Sequence, residues 1–170
     1  MKVPIVRPSR SRQPVSARFF VLTISDTRTR ATDEGGPLAV EYLEANGHRV
    51  TGHEIVKDEP AEILDVLKRE ASNPEVEFFL LTGGTGISRR DQTFEAVHGY
   101  LDREIIGFGE IFRWLSYQDI GSPAILSRAL AGLKGNQVII SLPGSPSAVR
   151  LAMEKLVLPE IGHILAQLKK

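Results

Sequence analysis

The stretch from Phe78 to Gly86 reads FFLLTGGTG, an apolar run that leads into a glycine-rich turn. An apolar run without polar alternation is typical of a strand buried on both faces, as in a parallel sheet covered by helices. The three glycines let the backbone turn tightly after that strand. Apolar residues at helical spacing resume at Phe94, so the stretch predicts a strand, a glycine loop and a helix that begins near Thr93.

The same alternation of strands and helices extends outward from this unit. Strands are predicted at 19–24, 49–56, 78–81 and 138–142, and helical periods occur around 38–43, 63–67, 94–101, 108–115 and 149–168. Pro159 is expected to break or kink the last helix. Residues 124–131 fit a strand or a short helix, and we favour an antiparallel hairpin with 138–142 because glycines and Asn136 provide the turns. The pattern predicts an α/β fold with a mostly parallel sheet.

The first 18 residues differ in composition from the rest of the chain. They contain five Lys or Arg residues, three prolines and no acid. This composition predicts a basic arm at 1–18 that is flexible or draped over the surface. Residues 19–170 have the size and the mixed composition of a single domain.

The overall composition excludes several classes of protein. The chain has 170 residues, 42% of them hydrophobic, with 21 basic and 21 acidic side chains, so no net charge attracts it to nucleic acid or an anionic membrane. With no cysteine it has no disulfide, no thiolate nucleophile and no Cys-ligated metal. No stretch approaches the ~20 apolar residues of a membrane span or the core of a secretory signal. A cytoplasmic location is expected, and an Arg- and Ser-containing organelle presequence is the alternative.

The glycine loop carries the strongest functional pattern. Gly83, Gly84, Thr85 and Gly86 form a backbone concavity before a helix, which suits phosphate oxygens, and the loop ends in Arg89-Arg90-Asp91. Asp91 is able to hold Mg²⁺, and either arginine is able to meet phosphate charge. No Gly-Lys-Ser/Thr follows and the glycine spacing is not that of a dinucleotide fingerprint, so neither common nucleotide motif applies. The structural alternative is a plain turn with Asp91 as a helix cap.

Three other strand ends carry polar residues, each with a structural alternative. Ser25 and Asp26 follow the first strand and either line a ligand pocket or shape a turn. Asp58 follows the second strand, where a normal helix start with Pro60 competes with a role beside Asp91. Pro143-Gly144-Ser145 follows the last strand, and Ser145 is also a good helix N-cap. Ligands of such sheets bind outside the carboxyl ends of the strands, so these junctions are candidates for one site.

Taken together, these motifs resemble the molybdenum cofactor biosynthesis family, the MoaB/MogA group of molybdopterin-binding proteins. The matching stretches run from about Phe19 to Ser147: Thr23-Ile24-Ser25-Asp26, Thr82–Gly86 with Arg89–Thr93, Gly107-Phe108-Gly109-Glu110, Ser127-Arg128 and Leu142-Pro143-Gly144. The segment from Gly107 to Gly121 looks most like the B-type branch.

The resemblance implies a three-layer α/β/α sandwich that assembles as a homotrimer or hexamer and binds molybdopterin. In catalytic members the terminal phosphate of molybdopterin attacks the α-phosphorus of Mg-ATP, which gives adenylyl-molybdopterin and pyrophosphate. The resemblance also implies other molybdenum cofactor biosynthesis proteins as partners.

The resemblance also assigns residues to this chemistry. Asp58 and Asp91 match the family's acidic active-site positions and would position Mg²⁺ or phosphate. The remaining candidates for binding nucleotide or pterin are Ser25, Asp26, Gly83, Gly84, Thr85, Gly86, Arg90, Thr93, Glu110, Pro143, Gly144 and Ser145.

One departure from the family pattern affects these expectations. Adenylating members often read Asp-Val-Thr-Pro after the glycine loop, where this chain has Asp91-Gln92-Thr93-Phe94. Retention of Arg90, Asp91 and Thr93 nevertheless favours an active adenylyltransferase. The alternatives are a carrier that binds molybdopterin without transfer, and a nucleotide-handling hydrolase on a related scaffold.

Overall fold

The computed structural model describes residues 3–8 and 15–170. Its strands are β1 (Arg18–Ile24), β2 (Arg49–Val56), β3 (Phe78–Thr82), β4 (Arg103–Glu104), β5 (Leu130–Lys134) and β6 (Gln137–Leu142). Its α-helices are α1 (Gly35–Ala45), α2 (Pro60–Ala71), α3 (Thr93–Tyr100), α4 (Ile106–Ile120), α5 (Pro146–Ala152) and α6 (Leu158–Leu168). A 3₁₀ helix covers Ser122–Leu126, and a π-helical turn at Met153–Val157 joins α5 to α6.

The strands form one sheet in the order β2-β1-β3-β6-β5-β4. The first four of these are parallel, and β5 and β4 add two antiparallel strands at one edge. The chain leaves β1 toward β2 and then crosses back to β3 on the other side of β1, so the strand order reverses between β1 and β3. Such a reversal opens a crevice at the carboxyl ends of the strands.

Helices cover both faces of the sheet, because successive side chains of the buried strands point to opposite sides. Phe19 and Phe78 lie side by side on one face, with ring centres 4.7 Å apart, and join the core formed with α1, α4, α5 and α6. Phe20 and Phe79 lie on the other face in the core formed with α2 and α3. The predicted α/β/α sandwich with a mostly parallel sheet and an antiparallel hairpin is confirmed.

Two details of the last third of the chain depend on local backbone chemistry. The segment predicted as a strand or a short helix contains both, because the 3₁₀ helix precedes β5, and β5 returns along β6 through Gly135 at φ 57°. Pro159 does not break the final helix. It has no N–H to donate to Lys155 and its ring crowds that carbonyl, and the helix widens into the π turn just before it.

The described part of the basic arm, residues 3–8 and 15–17, contacts the domain. Val3 and Val6 pack on the core at the end of α1, and the Val6 N–H donates to Asn46 Oδ1 at 2.7 Å. The Asn46 amide in turn donates to the Pro4 carbonyl. Residues 1–2 and 9–14, which the sequence placed in a flexible arm, lie outside the described residues. Within the described ranges, no helix is long and apolar enough to cross a membrane.

Candidate active site

Three strand ends meet at the glycine loop. The Gly83 N–H donates to the Leu142 carbonyl at 2.8 Å, which joins the ends of β3 and β6. Gly83 has φ 110°, and a Cβ at this position would collide with the carbonyl oxygen of Ile24 at the end of β1. A Cβ at Gly144, in the turn after β6, would lie 3.3 Å from Gly83 Cα. Gly83 therefore sits in the crevice where backbone from three strands converges, and only glycine fits there.

The next loop residue covers two buried polar side chains. Gly84 has φ 63°, and a Cβ there would collide with Thr93 Oγ1 and Asp58 Oδ2. Thr93 is fully buried at the start of α3, where its hydroxyl donates to Asp58 Oδ1 at 3.1 Å. The loop thus lies directly over the Asp58 carboxylate.

Asp58 does not cap the helix that follows it in sequence. The side chain is only 4% exposed and makes no cap hydrogen bond to α2; instead Oδ1 accepts from the Gln92 N–H at the start of α3. Burial raises the pKa of Asp58, and the negative charges of Asp91 and Asp26 act in the same direction, while the hydrogen bonds from Gln92 and Thr93 oppose the rise. The predicted helix start at Pro60 is present, with Glu59 at the N-cap position, but Asp58 does not cap it, and its carboxylate lies under the glycine loop.

Asp91 also has a role other than capping α3. Its Oδ2 accepts from the Ser88 N–H at 2.9 Å, and its own N–H donates to the Ser88 carbonyl, which closes a turn. A Cβ at Gly86 would lie 2.7 Å from Asp91 Oδ2, so this carboxylate packs against the glycine loop from the other end. Asp58 and Asp91, the two predicted catalytic carboxylates, therefore pack against the same glycine loop, at Gly84 and at Gly86.

A cleft of about 390 Å³ opens beside the loop. The glycine loop and Asp91 form one side, the turn after β6 forms the next, and α4 with the 3₁₀ helix forms the far side. Seven of the predicted site residues line it: Gly84, Thr85, Gly86, Asp91, Pro143, Gly144 and Ser145. Ser145 is also the N-cap of α5, since its Oγ accepts from the Ala148 N–H at 3.3 Å.

Asp26 and Arg90 form an ion pair with each other and do not line the cleft. The Arg90 guanidinium donates to both carboxylate oxygens of Asp26, at 2.5 and 2.8 Å, and to Glu59 Oε1. This contact lowers the pKa of Asp26 to about 2 and raises that of Arg90. Asp26 also accepts from the Asp58 N–H, so the pair ties together the loops that follow β1, β2 and β3. Arg89, the other predicted phosphate partner, lines a separate hollow of about 340 Å³.

Two further predicted residues lie outside the cleft. Ser25 shapes a turn, because its hydroxyl oxygen accepts from the N–H groups of Thr27 and Arg28. Glu110 is exposed on α4 and does not line the cleft. The described residues contain no cluster of three or more His, Asp or Glu side chains able to hold a metal ion by themselves.

Sequence reasoning missed the far side of the cleft. Phe112, Ser116 and Asp119 on α4 line it together with Pro123 and Ser127. Only the helical spacing from Phe112 to Ser116 to Asp119 pointed to a common face, and nothing in the sequence indicated that this face meets the glycine loop. It quoted Ser127-Arg128 as a matching stretch but assigned no role to Arg128, which contacts the loop from behind.

Comparison with known proteins places the whole domain in one family. The family described as "Probable molybdopterin binding domain" matches residues 20–163. The protein named molybdenum cofactor biosynthesis protein B from Halalkalibacterium halodurans is 51% identical over 166 residues, which cover 97% of this chain and 98% of the relative.

Solved structures of similar proteins have the same fold as this chain. A crystal structure of a molybdenum cofactor biosynthesis protein B superimposes with a TM-score of 0.90 at 51% identity, over 93% of this chain and 99% of the other. The tungsten cofactor synthesizing protein MoaB from Pyrococcus furiosus gives a TM-score of 0.82 at 36% identity, over 92% of this chain and 99% of that protein.

Proposed function

Because this chain belongs to the molybdenum cofactor biosynthesis family of molybdopterin-binding domains, we propose that it acts in that pathway as a molybdopterin adenylyltransferase. A phosphate oxygen of molybdopterin forms a bond to the α-phosphorus of ATP. The bond from that phosphorus to the bridging oxygen of the β-phosphate breaks, and pyrophosphate leaves. The product is adenylyl-molybdopterin.

One observation carries this proposal: a glycine-rich loop lies between two carboxylates at the edge of the cleft. Gly84 and Gly86 line the cleft without a side chain, and a Cβ would collide with Asp58 at Gly84 and with Asp91 at Gly86, so a phosphate group is able to approach the backbone closely there. Asp58 lies under the loop and Asp91 lies at the cleft itself. Phosphate-binding backbone next to carboxylates is the arrangement that suits a nucleotide bound with a divalent cation.

The chemistry of the chain fits a transfer that needs no side-chain nucleophile. The chain has no cysteine, and the polar groups that line the cleft are loop backbone, hydroxyls and carboxylates, which lie beside apolar side chains such as Phe112 and Leu151. In phosphoryl and nucleotidyl transfer the protein contributes mainly orientation of the two reactants and stabilisation of charge. The cleft wall formed by Gly84–Gly86 and the hydroxyls of Ser145 and Ser147 supply the orienting groups in this proposal.

Mg²⁺ is expected to arrive with ATP. It commonly binds one or two carboxylates together with substrate phosphates and water. Asp91, which lines the cleft, would be such a ligand, and Asp58 would act from beneath the loop. A bound ion would offset the negative charge of the triphosphate.

The second candidate function is a molybdopterin carrier that binds in the same cleft without transferring AMP. The Asp91-Gln92-Thr93-Phe94 departure favours it, and so does the burial of Asp58, which makes ionisation of that carboxyl less favourable. Both functions need the cleft, and only the enzyme needs the carboxylates for turnover.

Label transfer separates the two functions. The protein is incubated with molybdopterin, Mg²⁺ and ATP labelled at the α-phosphate, and labelled adenylyl-molybdopterin is separated by chromatography; binding is followed in parallel by pterin fluorescence. The enzyme predicts labelled product that depends on both molybdopterin and Mg²⁺. Binding of molybdopterin without labelled product would leave the carrier, and ATP hydrolysis without pterin dependence would favour a hydrolase.

Assembly and location are part of the same proposal. We expect a homotrimer or hexamer in the cytoplasm that hands its product to other molybdenum cofactor biosynthesis proteins. Support comes from the exposed side of α4, which carries Ile106, Ile111, Trp114, Tyr117 and Ile120, each at least about half exposed in the single chain. Apolar side chains concentrated on one exposed surface are typical of subunit contacts.

A further inference from the structure

Arg128 holds the glycine loop from outside the cleft. It lies between the 3₁₀ helix and β5, 37 residues beyond Asp91 in sequence, and its side chain is 24% exposed. The Arg128 N–H donates to the Thr85 carbonyl at 3.0 Å, so its backbone runs beside the loop. The side chain contacts the neighbouring hollow and does not line the cleft.

The guanidinium spans both ends of the segment that carries Asp91. Its Nε–H donates to the Gly86 carbonyl and an Nη2–H donates to the Asp91 carbonyl, each at 2.8 Å. A guanidinium presents its N–H groups in a fixed planar fork, so two simultaneous bonds fix the distance between these two carbonyls. A lysine ammonium is a single point and lacks this geometry.

The guanidinium also contacts two side chains of α3. Its central carbon lies 5.2 Å from the centre of the Phe94 ring in the first turn of α3, and it forms an ion pair with Glu95. The Glu95 side chain is 61% exposed, so its ion pair contributes little to the free energy of folding. The stacking on Phe94 and the two carbonyl bonds are the contacts that orient Arg128.

The contacts of Arg128 constrain the distance between Gly86 and Asp91. The Asp91 carboxylate packs against Gly86, and its orientation depends on the turn that begins at Ser88. Within the described ranges, Arg90 holds this turn to the body of the protein on one side, through the exposed contacts with Asp26 and Glu59, and Arg128 holds it on the other. Without Arg128, Gly86 and Asp91 would lose their common tether.

We infer that Arg128 is a positioning residue that fixes the Gly86–Asp91 segment in the shape that presents Asp91 to the cleft. The catalytic part of this inference rests on the proposed adenylyl transfer. The structural part does not, because it concerns only the order of the loop.

Trypsin tests the structural part, since Arg89 and Arg90 lie within the segment. Cleavage at these two bonds is followed by mass spectrometry in the native full-length chain, in Arg128→Ala, in Arg128→Lys and in the control Glu95→Gln. We expect at least tenfold faster cleavage in Arg128→Ala, faster cleavage also in Arg128→Lys, and an unchanged rate in Glu95→Gln. Circular dichroism establishes that each variant is folded, and Arg128→Lys provides the comparison if Arg128→Ala unfolds.

Label transfer tests the catalytic part. We expect Arg128→Ala to lower kcat about 100-fold while KM for ATP changes less than threefold, and added guanidinium ion to restore part of kcat in Arg128→Ala only. Equal trypsin cleavage rates in the native chain and in the folded Arg128 variants would overturn the inference. Faster cleavage of the variants with an unchanged kcat would also overturn it. If the native chain transfers no label, the adenylyltransferase proposal fails, and the trypsin comparison still decides whether Arg128 holds the loop.

Discussion

Gly83 shows how a single residue determines the shape of the site. Its φ of 110° and the carbonyl of Ile24 beside it exclude a side chain on two separate grounds, strain and collision. The strand end, the loop and the turn after β6 all depend on this close approach. Substitution at Gly83 therefore tests whether the site depends on this close approach of the backbone.

We predict that Gly83→Ala destabilises the protein by about 3 kcal/mol or more, because backbone must move to admit the methyl group. Gly135→Ala is the matched control: its φ is 57° but a Cβ there meets nothing within 4 Å, so it costs only the left-handed strain of about 1–2 kcal/mol. Urea unfolding of both variants measures the difference. Equal losses of unfolding free energy in the two variants would show that a methyl group at Gly83 does not collide with the Ile24 carbonyl.

Asp58 gives a prediction about pH. Its folded pKa is raised by burial, so the folded state binds a proton more tightly than the unfolded chain and loses stability as pH rises from the ordinary Asp range through the raised pKa. Asp58→Asn removes this loss while keeping an oxygen for the Gln92 N–H.

We expect Asp58→Asn to be more stable than the native chain near neutral pH, by roughly 0.5–3 kcal/mol, with the gain shrinking toward pH 4. Denaturant unfolding from pH 4 to 8 measures it, with the exposed Asp65→Asn on α2 as the control. A gain that grows as the pH falls would contradict the assigned direction.

At the scale of elements, Tyr42 links α1 to the π turn between α5 and α6. The residue is 1% exposed, and its hydroxyl donates to Glu154. Burial raises its pKa to about 12, and the Glu154 carboxylate adds to the rise. The neutral hydroxyl thus provides a contact between these helices. Because the pKa of Tyr42 is higher in the folded state than in the unfolded chain, the stability that this contact contributes is lost as the pH rises above the ordinary Tyr range near 10.

We predict that an alkaline absorbance titration of the native chain minus that of Tyr42→Phe shows one tyrosine with a pKa of about 12. Tyr42→Phe should lower the free energy of unfolding by about 1–3 kcal/mol, because the partly buried Glu154 carboxylate loses its donor. A difference curve centred near pH 10 would show that Tyr42 is not buried against Glu154.

The sequence predicts elements better than contacts between them. β2 was predicted residue for residue, and β3 and α3 nearly so, because apolar runs and glycine turns are local signals. The role of Asp58 was not local: its sequence favours capping of α2, and only the crossing at β1 and β3 brings it against α3 instead. Arg128 was quoted as part of a matching motif but given no role, and the α4 wall was missed, since both reach the loop from distant parts of the chain.

At the scale of the whole molecule, α4 presents an exposed apolar side in the part of the chain that the structure describes. Trp114 is 59% exposed and is the sole tryptophan. If copies of the chain pack through this surface, Trp114 becomes buried on assembly and reports it directly.

We predict that the native protein has a mass of three or six times 18.7 kDa by light scattering and that Trp114→Glu reduces it to that of one chain. Ile5→Glu, at a 72% exposed position away from α4, is the control and should keep the native mass. A blue-shifted tryptophan emission in the native assembly should accompany the higher mass. Monomeric native protein, or assembly that survives Trp114→Glu, would contradict an interface through α4.

Adenylyl transfer is tested by pyrophosphate release from Mg-ATP with and without molybdopterin, in the native chain, in Asp91→Asn and in the control Asp65→Asn. We expect release that depends on molybdopterin in the native chain and the control, and a loss of about 100-fold or more in Asp91→Asn. No release by the native chain despite measurable molybdopterin binding would contradict adenylyl transfer, and undiminished release by Asp91→Asn would contradict the role of the carboxylate at the glycine loop.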